Sequence, residues 1–397
     1  MTRRFTRSFT QQEPIPAEAI DAAVAVLQSG RLHRYNLAAG ETGEVASLEA
    51  EYRDWQGSAY CLALTSGGQA LQIALRACGV APGDAVLTNG FTLAPVPGAI
   101  QAVGAQSVLV EIDENLRLDL DDLGRKITQS GARTMLLSHM RGHLCDMERL
   151  MSICDAAGVA VIEDCAHTMG ASWNGKRSGN FGKVACFSTQ TYKHLNSGEG
   201  GFLTTDDPDL AARATILSGS YMLYERHGAG PAREEFDRPR YEMPNCSARM
   251  DALRAAILRP QLATLDANIE RWNTRYDAVE RALKPHNRIA TIAVPAEEVH
   301  VGSSIQFRLP DFTADQCRAV IAAAAGRGVE LKWFGAREPV GFTSSHHSWR
   351  YMKQQDLPET DRIMATLFDM RLPLSFSEAD CTLIGELIGE AVSEVGQ

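Results

Sequence analysis

Val161-Ile-Glu-Asp164-Cys-Ala-His167 begins as an apolar strand and ends in an acid. Downstream, Val184-Ala-Cys-Phe-Ser188 is a second buried-strand run that ends in a hydroxyl, and it continues as Thr-Gln-Thr-Tyr-Lys193-His-Leu-Asn196-Ser-Gly-Glu-Gly-Gly201. Outward from this pair the same pattern repeats. Tyr60 to Thr65, Ala85 to Thr88, Gln106 to Ile112 and Thr134 to Ser138 read as strands, and Gly201 to Thr204 completes the set. Helical spacing fills the gaps at Gly67 to Gly79, Leu93 to Val103 and Asp146 to Ala157. Strands alternating with helices across Gly-containing turns predict an α/β domain with a mostly parallel sheet.

The flanks read differently. Residues 1–50 hold a helix (Pro16 to Leu27) and a loop, Ser29-Gly-Arg-Leu-His-Arg-Tyr-Asn36, behind a basic tail with Arg3, Arg4 and Arg7 that reads as frayed. Residues 51–265 form the large domain. Arg249 to Lys284 is largely helical, and Pro260 must break or kink it because proline removes a backbone donor. Residues 266–397 read as a smaller α+β domain, with strands at Ile305 to Leu309 and Val329 to Lys332 and helices at Thr313 to Arg327 and Ser377 to Val395.

Composition narrows the function. The chain has 397 residues, 45% of them apolar, and a formal net charge of −10, which argues against a general nucleic-acid binder. No apolar run reaches the roughly 18 residues of a membrane span. The nine cysteines are scattered without a CxxC pair, so neither a disulfide framework nor a zinc ribbon is expected, and a reducing cytoplasm is. Gly170 to Arg177 falls short of a P-loop because Arg177 stands where magnesium needs Ser or Thr. His139 and His143 flank Gly142 after a strand and read as loop histidines; no metal site is expected.

A carboxylate at the carboxyl end of a parallel strand lies where α/β proteins bind ligands, although Asp164 alone is equally a helix N-cap. Lys193 lies between two buried strands, where an unpartnered ammonium is costly. Together they match what pyridoxal phosphate requires: a lysine for the Schiff base, an acid for the pyridine nitrogen, and phosphate donors. Ser188 is one such donor. Ser66-Gly67-Gly68-Gln-Ala-Leu, joining a strand to a helix, offers backbone amides as another.

With these residues the chain resembles, almost end to end, the DegT/StrS family of sugar aminotransferases in the fold-type-I pyridoxal-phosphate superfamily. Ser29-Gly-Arg-Leu is similar to the family's N-terminal loop and Ser66-Gly-Gly68-Gln-Ala-Leu to its SGTxAL turn. Gly83-Asp84-Ala-Val matches GDEV, and Glu163-Asp164-Cys-Ala-His167 matches the acidic strand end. Ser188 through Lys193 to Gly198-Glu-Gly-Gly201 matches FSxxxxK…GEGG; Arg249-Met250 with Gln261-Leu262, and Leu372-Pro373-Leu374, resemble later motifs.

The resemblance implies a fold-type-I aminotransferase with a large and a smaller α+β domain, acting as a cytoplasmic homodimer with shared active sites. It makes Lys193 the Schiff-base lysine, Asp164 the pyridinium partner, His167 the residue beside the ring, and Ser188 with Ser66, Gly67 and Gly68 the phosphate site. Gly68 departs from the family's Thr. Leu93 stands where the family stacks an aromatic on the ring, with Phe91 as the alternative. Asn245 is the candidate for reaching a neighbouring subunit's phosphate. Retention of Lys193, where a dehydrating branch has His, favours amine transfer from glutamate or glutamine to a keto group of a nucleotide-linked sugar. A cyclitol or other keto-polyol acceptor is the alternative, as is a non-catalytic regulatory relative. Candidate substrate contacts are His33, Arg34 and Tyr35, Tyr221 within Tyr221 to Arg240, and Trp333 within Trp333 to Trp349. Arg226, Arg233, Arg238 and Arg240 suit either a diphosphate or a solvated face.

Overall fold

The computed structural model describes residues 3–38, 40–338 and 344–396. Its main sheet has seven strands in the order Tyr60–Leu64, Gly201–Thr205, Val184–Ser188, Ala160–Asp164, Thr134–Ser138, Ala85–Asn89 and Gln106–Val110. Gly201–Thr205 runs antiparallel to both neighbours, and the last five strands in this order are mutually parallel. Thr134–Ser138 and Val184–Ser188 are buried at every position, as strands covered on both faces must be. One face packs on the helices Gly67–Ala77, Pro95–Ala102 and Pro208–Ser218 through Leu71, Ile73, Ile100 and Leu217. The other covers Met147–Ala157 and Leu120–Ser130 through Met135, Leu137 and Val161.

Parallel register puts Ser138 beside Asp164, and Asp164 beside Cys186, so three strands deliver their carboxyl ends to one edge. Asp164 caps no helix: the chain turns after it, and its Oδ1 accepts only the Ala166 N–H, at 3.2 Å. The near-P-loop is a small hairpin, Ser172–Trp173 against Lys176–Arg177. Asn174 and Gly175 both take positive φ at its turn.

Past the main sheet, Ala252–Leu262 keeps Pro260 in its last turn, and the break falls at Ala263 and Thr264 before Leu265–Leu283. A second sheet of four strands follows, with Ser304–Arg308 and Leu367–Arg371 at its centre and Ala290–Thr291 and Lys332–Trp333 at its edges. Its apolar face packs against Leu265–Leu283, Ala314–Gly326 and Glu378–Val395.

The basic tail is not frayed. Phe5 and Phe9 are buried in this second core and meet Phe376 edge-on, each with centroids 5.0 Å away. Arg3 pairs with Glu386 and Glu390, and Arg7 with Asp380. Such ring pairs contribute about 0.5–1.5 kcal/mol beyond area burial. Two phenylalanines among the arginines outweigh the tail's charge.

Candidate active site

Between the strand ends and the helix Gly67–Ala77 lies a cavity lined by Gly67, Gly68, Leu93, Asp164, His167, Ser188 and Lys193, together with Leu71, Thr92, Val96, Ser138 and Met140. Seven residues expected from sequence therefore meet in one place.

Lys193 sits in the turn that carries the chain from Val184–Ser188 to Gly201–Thr205. The turn closes through Thr189 N–H to Gly200 O at 3.0 Å and Ser197 N–H to Thr189 O at 2.9 Å. Gly200 adopts φ +155°, and a Cβ there would lie 2.3 Å from Thr189 Oγ1, so only glycine permits this closure. Lys193 Nζ lies 2.7 Å from His167 Nε2. His167 Nδ1 accepts the Arg141 N–H at 3.2 Å, which fixes the tautomer: Nε2 carries the hydrogen and donates to the lysine lone pair. The electrostatics agree. Burial, then the Arg141 charge, lowers the Lys193 pKa to about 7. Burial and the Lys193 charge hold His167 well below its ordinary value.

Asp164 faces the same cavity. Its Oδ2 accepts from Ser138 Oγ at 3.2 Å, and Ser138 Oγ in turn accepts from Thr92 Oγ1 at 2.8 Å. Burial raises the Asp164 pKa, and Lys193, the Ala166 amide and the Ser138 hydroxyl only partly offset it. A buried acid in this state gains from any cation placed against it.

At the cavity's other end, Ser66 caps the helix Gly67–Ala77 by accepting the Gln69 N–H at 3.1 Å. A Cβ on Gly67 would come within 2.9 Å of Ser188 Cβ, so glycine lets the helix start against the strand end. A Cβ on Gly68 would meet nothing closer than Ser66 Oγ at 3.9 Å, which leaves room over the helix amides and their positive dipole end. An acid, an amine and an anion cradle thus line one cavity, the three kinds of group that pyridoxal phosphate needs for its ring nitrogen, aldehyde carbon and phosphate. The residues fit the cofactor.

The other expected residues lie elsewhere. Phe91 is fully buried behind the site, edge-on to Phe334 at 5.0 Å, and Leu93 presents the aliphatic wall. Arg34 forms a buried fork with Glu49 at 2.8 and 2.9 Å, and Tyr35 Oη lies 3.1 Å from His227 Nδ1. Glu49 also accepts the Ala63 N–H at 2.8 Å, so this network ties the first loop to the main sheet. His33 is exposed beside Tyr35. Tyr221 is exposed at positive φ under the Arg249 guanidinium, 4.7 Å from its ring centroid. Asn245 Oδ1 accepts the Ser247 N–H at 2.9 Å and does not line the cavity. Trp333 is buried in the second core, with its Nε1 donating to Ala365 O at 2.9 Å. In the same segment, residues 339–343 lie outside the described residues. Arg233 and Arg240 share Asp237 at 3.0 and 3.2 Å.

Sequence reasoning missed Thr92, Ser138, Met140 and Arg141. Ser138 carried a usable signal, a hydroxyl ending a buried strand as Ser188 does. Arg141 carried none, since its place depends on a left-handed turn at φ 59° and a partner, Asp369, distant in sequence at 2.7 Å.

Many known proteins are similar to this chain in sequence and in fold. The 3-amino-5-hydroxybenzoate synthase of Amycolatopsis mediterranei is 31% identical over 283 residues, covering 70% of this chain and 70% of its own. The L-glutamine:scyllo-inosose aminotransferase of Streptomyces griseus is 31% identical over 300 residues, 75% of this chain and 70% of its own. The dTDP-3-amino-3,4,6-trideoxy-alpha-D-glucose transaminase of Streptomyces venezuelae is 35% identical over 272 residues, 67% of this chain and 64% of its own. A crystal structure of 3-amino-5-hydroxybenzoic acid synthase superposes with a TM-score of 0.83 at 25% identity, covering 99% of this chain and 100% of that one. S. venezuelae DesV superposes at 0.80 with 27% identity, covering 95% and 94%. The family model of the DegT/DnrJ/EryC1/StrS aminotransferases matches residues 14–388, and the chain belongs to that family.

Proposed function

We propose that this pyridoxal-phosphate-dependent aminotransferase moves an amino group from glutamate or glutamine to a ring ketone of a sugar, in its main reading a nucleotide-linked one. The observation that carries the reading is the meeting of Lys193, Asp164 and the Gly67 helix end in one cavity. Bound there, the cofactor supplies an electron sink for the carbon that loses and gains a proton. Asp164 would hold the ring nitrogen's proton, and the Gly67 and Gly68 amides with Ser188 would hold the phosphate, with Leu93 as an aliphatic part of the wall. His167 orients the Lys193 amine, which, with a pKa lowered to about 7, takes and returns the substrate proton near neutral pH.

A cyclitol ketone is the second reading, supported by relatives named for scyllo-inosose and 2-deoxy-scyllo-inosose. The test adds glutamate, then glutamine, to the purified enzyme and follows the cofactor's absorbance to its amine form. Keto sugars and inososes are then offered for the return. Failure of both donors removes the transferase reading, and return by inososes alone selects the second.

The working unit we propose is a homodimer. Ile20, Val24 and Leu27 form an exposed apolar stripe along Ala17–Ser29, and Leu32 is exposed just beyond it. A second copy is the occupant that also gives Asn245, His33 and Tyr221 a cavity to reach, as a phosphate contact and acceptor contacts. Arg34, Tyr35 and Trp333 then act by holding those loops and the second core. Sedimentation should give a dimer, and a fully active monomer would reject this arrangement. The setting we propose is the cytoplasm, in keeping with nine cysteines that are all free. No described helix is long and apolar enough to cross a membrane.

A further inference from the structure

Away from the cavity, residues 344–357 run along the open edge of the main sheet. Gln355 pairs there with the last strand, Gln106–Val110. It accepts the Leu109 N–H at 2.9 Å and donates to Ser107 O at 2.9 Å, which closes an edge that would otherwise offer unpaired backbone groups. Trp349 is buried beside it against Leu109 and Leu357. The helix Pro358–Met364 follows. Its Ile363 and Met364 pack with Phe91 and with Met140, a wall residue of the cavity.

Near the start of this segment, the turn His346–Ser348 brings two imidazoles to one carboxylate of that helix. His346 Nε2 lies 2.9 Å from Asp361 Oδ1, and His347 Nε2 lies 3.0 Å from each Asp361 oxygen. The ring centroids are 4.0 Å apart, and one ligand atom from each of the three residues lies within 4.8 Å of the others. Tetrahedral zinc, with bonds of about 2.0–2.2 Å to nitrogen and oxygen, sets its ligand atoms about 3.3–3.5 Å apart, so these nitrogen–oxygen gaps need open by only about 0.5 Å. Among the described residues no lysine or arginine pairs with Asp361, and the neighbouring Arg362 turns to Glu114 and Glu359 at 3.1 and 2.9 Å. His346 is buried and its Nδ1 has no hydrogen-bond partner, so its one polar contact is the nitrogen aimed at Asp361. His347 and Asp361 reach solvent, which gives an ion an entry path and a water a fourth position. One imidazole is enough for an ion pair with a carboxylate; a second one on the same oxygen, from the protein's interior, makes the donor set of a metal. The other such trio among the described residues, His139, Glu163 and Cys165, fails the same test, because Glu163 already accepts three backbone N–H groups.

We propose that His346, His347 and Asp361 form a binding site for a zinc-class divalent cation, which clips the turn His346–Ser348 to the helix Pro358–Met364. Two imidazole nitrogens select Zn²⁺ over Mg²⁺ and Ca²⁺, which take oxygen ligands. The site stands apart from the aminotransferase chemistry and holds whatever the donor and acceptor prove to be. Ligation through Nε2 moves the His346 proton to Nδ1, where the fold supplies no acceptor. Outer-shell acceptors are worth about 10- to 100-fold in metal affinity, so this site should bind more weakly than one with a complete outer shell.

The test uses untagged, cofactor-loaded enzyme freed of metal by a chelator and dialysis, since a histidine tag would itself take zinc. Zinc is titrated by calorimetry and against a chromogenic zinc indicator, with His347→Ala and Asp361→Asn as variants. Both side chains lie at the surface, so both variants should melt as the metal-free wild type does. The wild type should bind one zinc per chain at this site. Each variant should weaken that binding at least about 100-fold, more than the loss of an outer-shell partner does. Zinc should raise the melting temperature of the wild type and of neither variant, because an ion that binds only the folded chain stabilises it. Excess Mg²⁺ should not displace the zinc. Co²⁺ in its place should give the visible bands of a four-coordinate nitrogen–oxygen site, without the thiolate charge-transfer band that the exposed Cys246 would produce. Binding unchanged in both variants, a thiolate band, displacement by Mg²⁺, or no binding by the wild type overturns the proposal. Should Asp361→Asn melt early, His347→Ala and the cobalt spectrum decide alone.

Discussion

Glu163 and Asp164 are adjacent carboxylates at the end of one buried strand, and they face opposite ways. On one side Glu163 accepts Phe181 and Gly182 N–H through Oε1 at 2.8 and 2.7 Å, and Gly179 N–H and His139 Nε2 through Oε2 at 2.8 and 3.0 Å. Burial by itself would raise its pKa, but the His139 bond and the Gly182 and Gly179 amides outweigh that and hold it below the ordinary value. On the other side Asp164 has one hydroxyl and one amide, and burial wins. The pair separates two uses of a buried acid. Glu163 is saturated by its own chain and holds the loop 179–182 in place. Asp164 is left short of donors, which is the condition of a group that awaits a ligand.

The largest effect expected concerns the amine that Asp164 faces. Lys193→Ala should lose the visible cofactor band at this linkage and lower turnover at least about 10⁴-fold, the upper end for a lost acid–base group. Its melting temperature should hold, since a buried amine is removed. Full turnover in that variant would remove Lys193 from the chemistry. Next, Asp164→Asn should cut the rate about 10²- to 10³-fold, as a lost electrostatic partner at a reacting centre does, with melting unchanged. Glu163→Gln should do the reverse. An amide nitrogen then faces backbone donors, and leaving one such group unsatisfied costs about 1–3 kcal/mol of stability, while the folded fraction keeps its half-turnover rate. A Glu163→Gln enzyme that melts normally but is inactive, or an Asp164→Asn enzyme that is active but unstable, would break the comparison.

The same pair shows what sequence carries. A strand ending in Glu-Asp and a lysine after the next strand were enough for the α/β class and the cofactor, because parallel strands bring their ends to one edge whatever the loops do. Asp164 stood out by its place at the strand's end, and the resemblance gave it the same role; that Glu163 turns to the other face and is saturated by its own chain was not legible, since its donors lie on a distant loop. What failed to read was set by distant partners. Arg34 looked like a loop contact because Glu49 and His227 are separate in sequence, and their burial together is a tertiary event. Leu367–Arg371 was not anticipated as a strand, since Leu-Phe-Asp-Met-Arg breaks the apolar alternation with an aspartate that Arg141 and Gln306 satisfy only in the fold. The helices Glu44–Gln56 and Leu120–Ser130 were missed because charged residues dilute their apolar stripes.

The smallest expected effect is a titration. In the cofactor-free protein the Lys193 amine should react with a trace acylating reagent with a midpoint near pH 7, the value to which burial and then Arg141 lower it. Lysines in water titrate near about 10.4. Protonation of Lys193 is disfavoured in the folded state, so between about pH 7 and 10 the unfolded chain binds the extra proton, and this residue's contribution to stability rises with pH across that window. Arg371→Gln removes one of the cations that depress the amine and should move its midpoint upward; Asp164→Asn removes the anion that opposes the depression and should move it downward. Opposite shifts from the two variants, read by mass spectrometry at the Lys193 peptide, would place Asp164 on the lysine's side of its strand and Arg371 within electrostatic reach of the amine. Glu163→Gln, on the far side, should leave the midpoint where it was. A shift from Glu163→Gln as large as that from Asp164→Asn would mean that the two faces of the strand are not electrostatically separate.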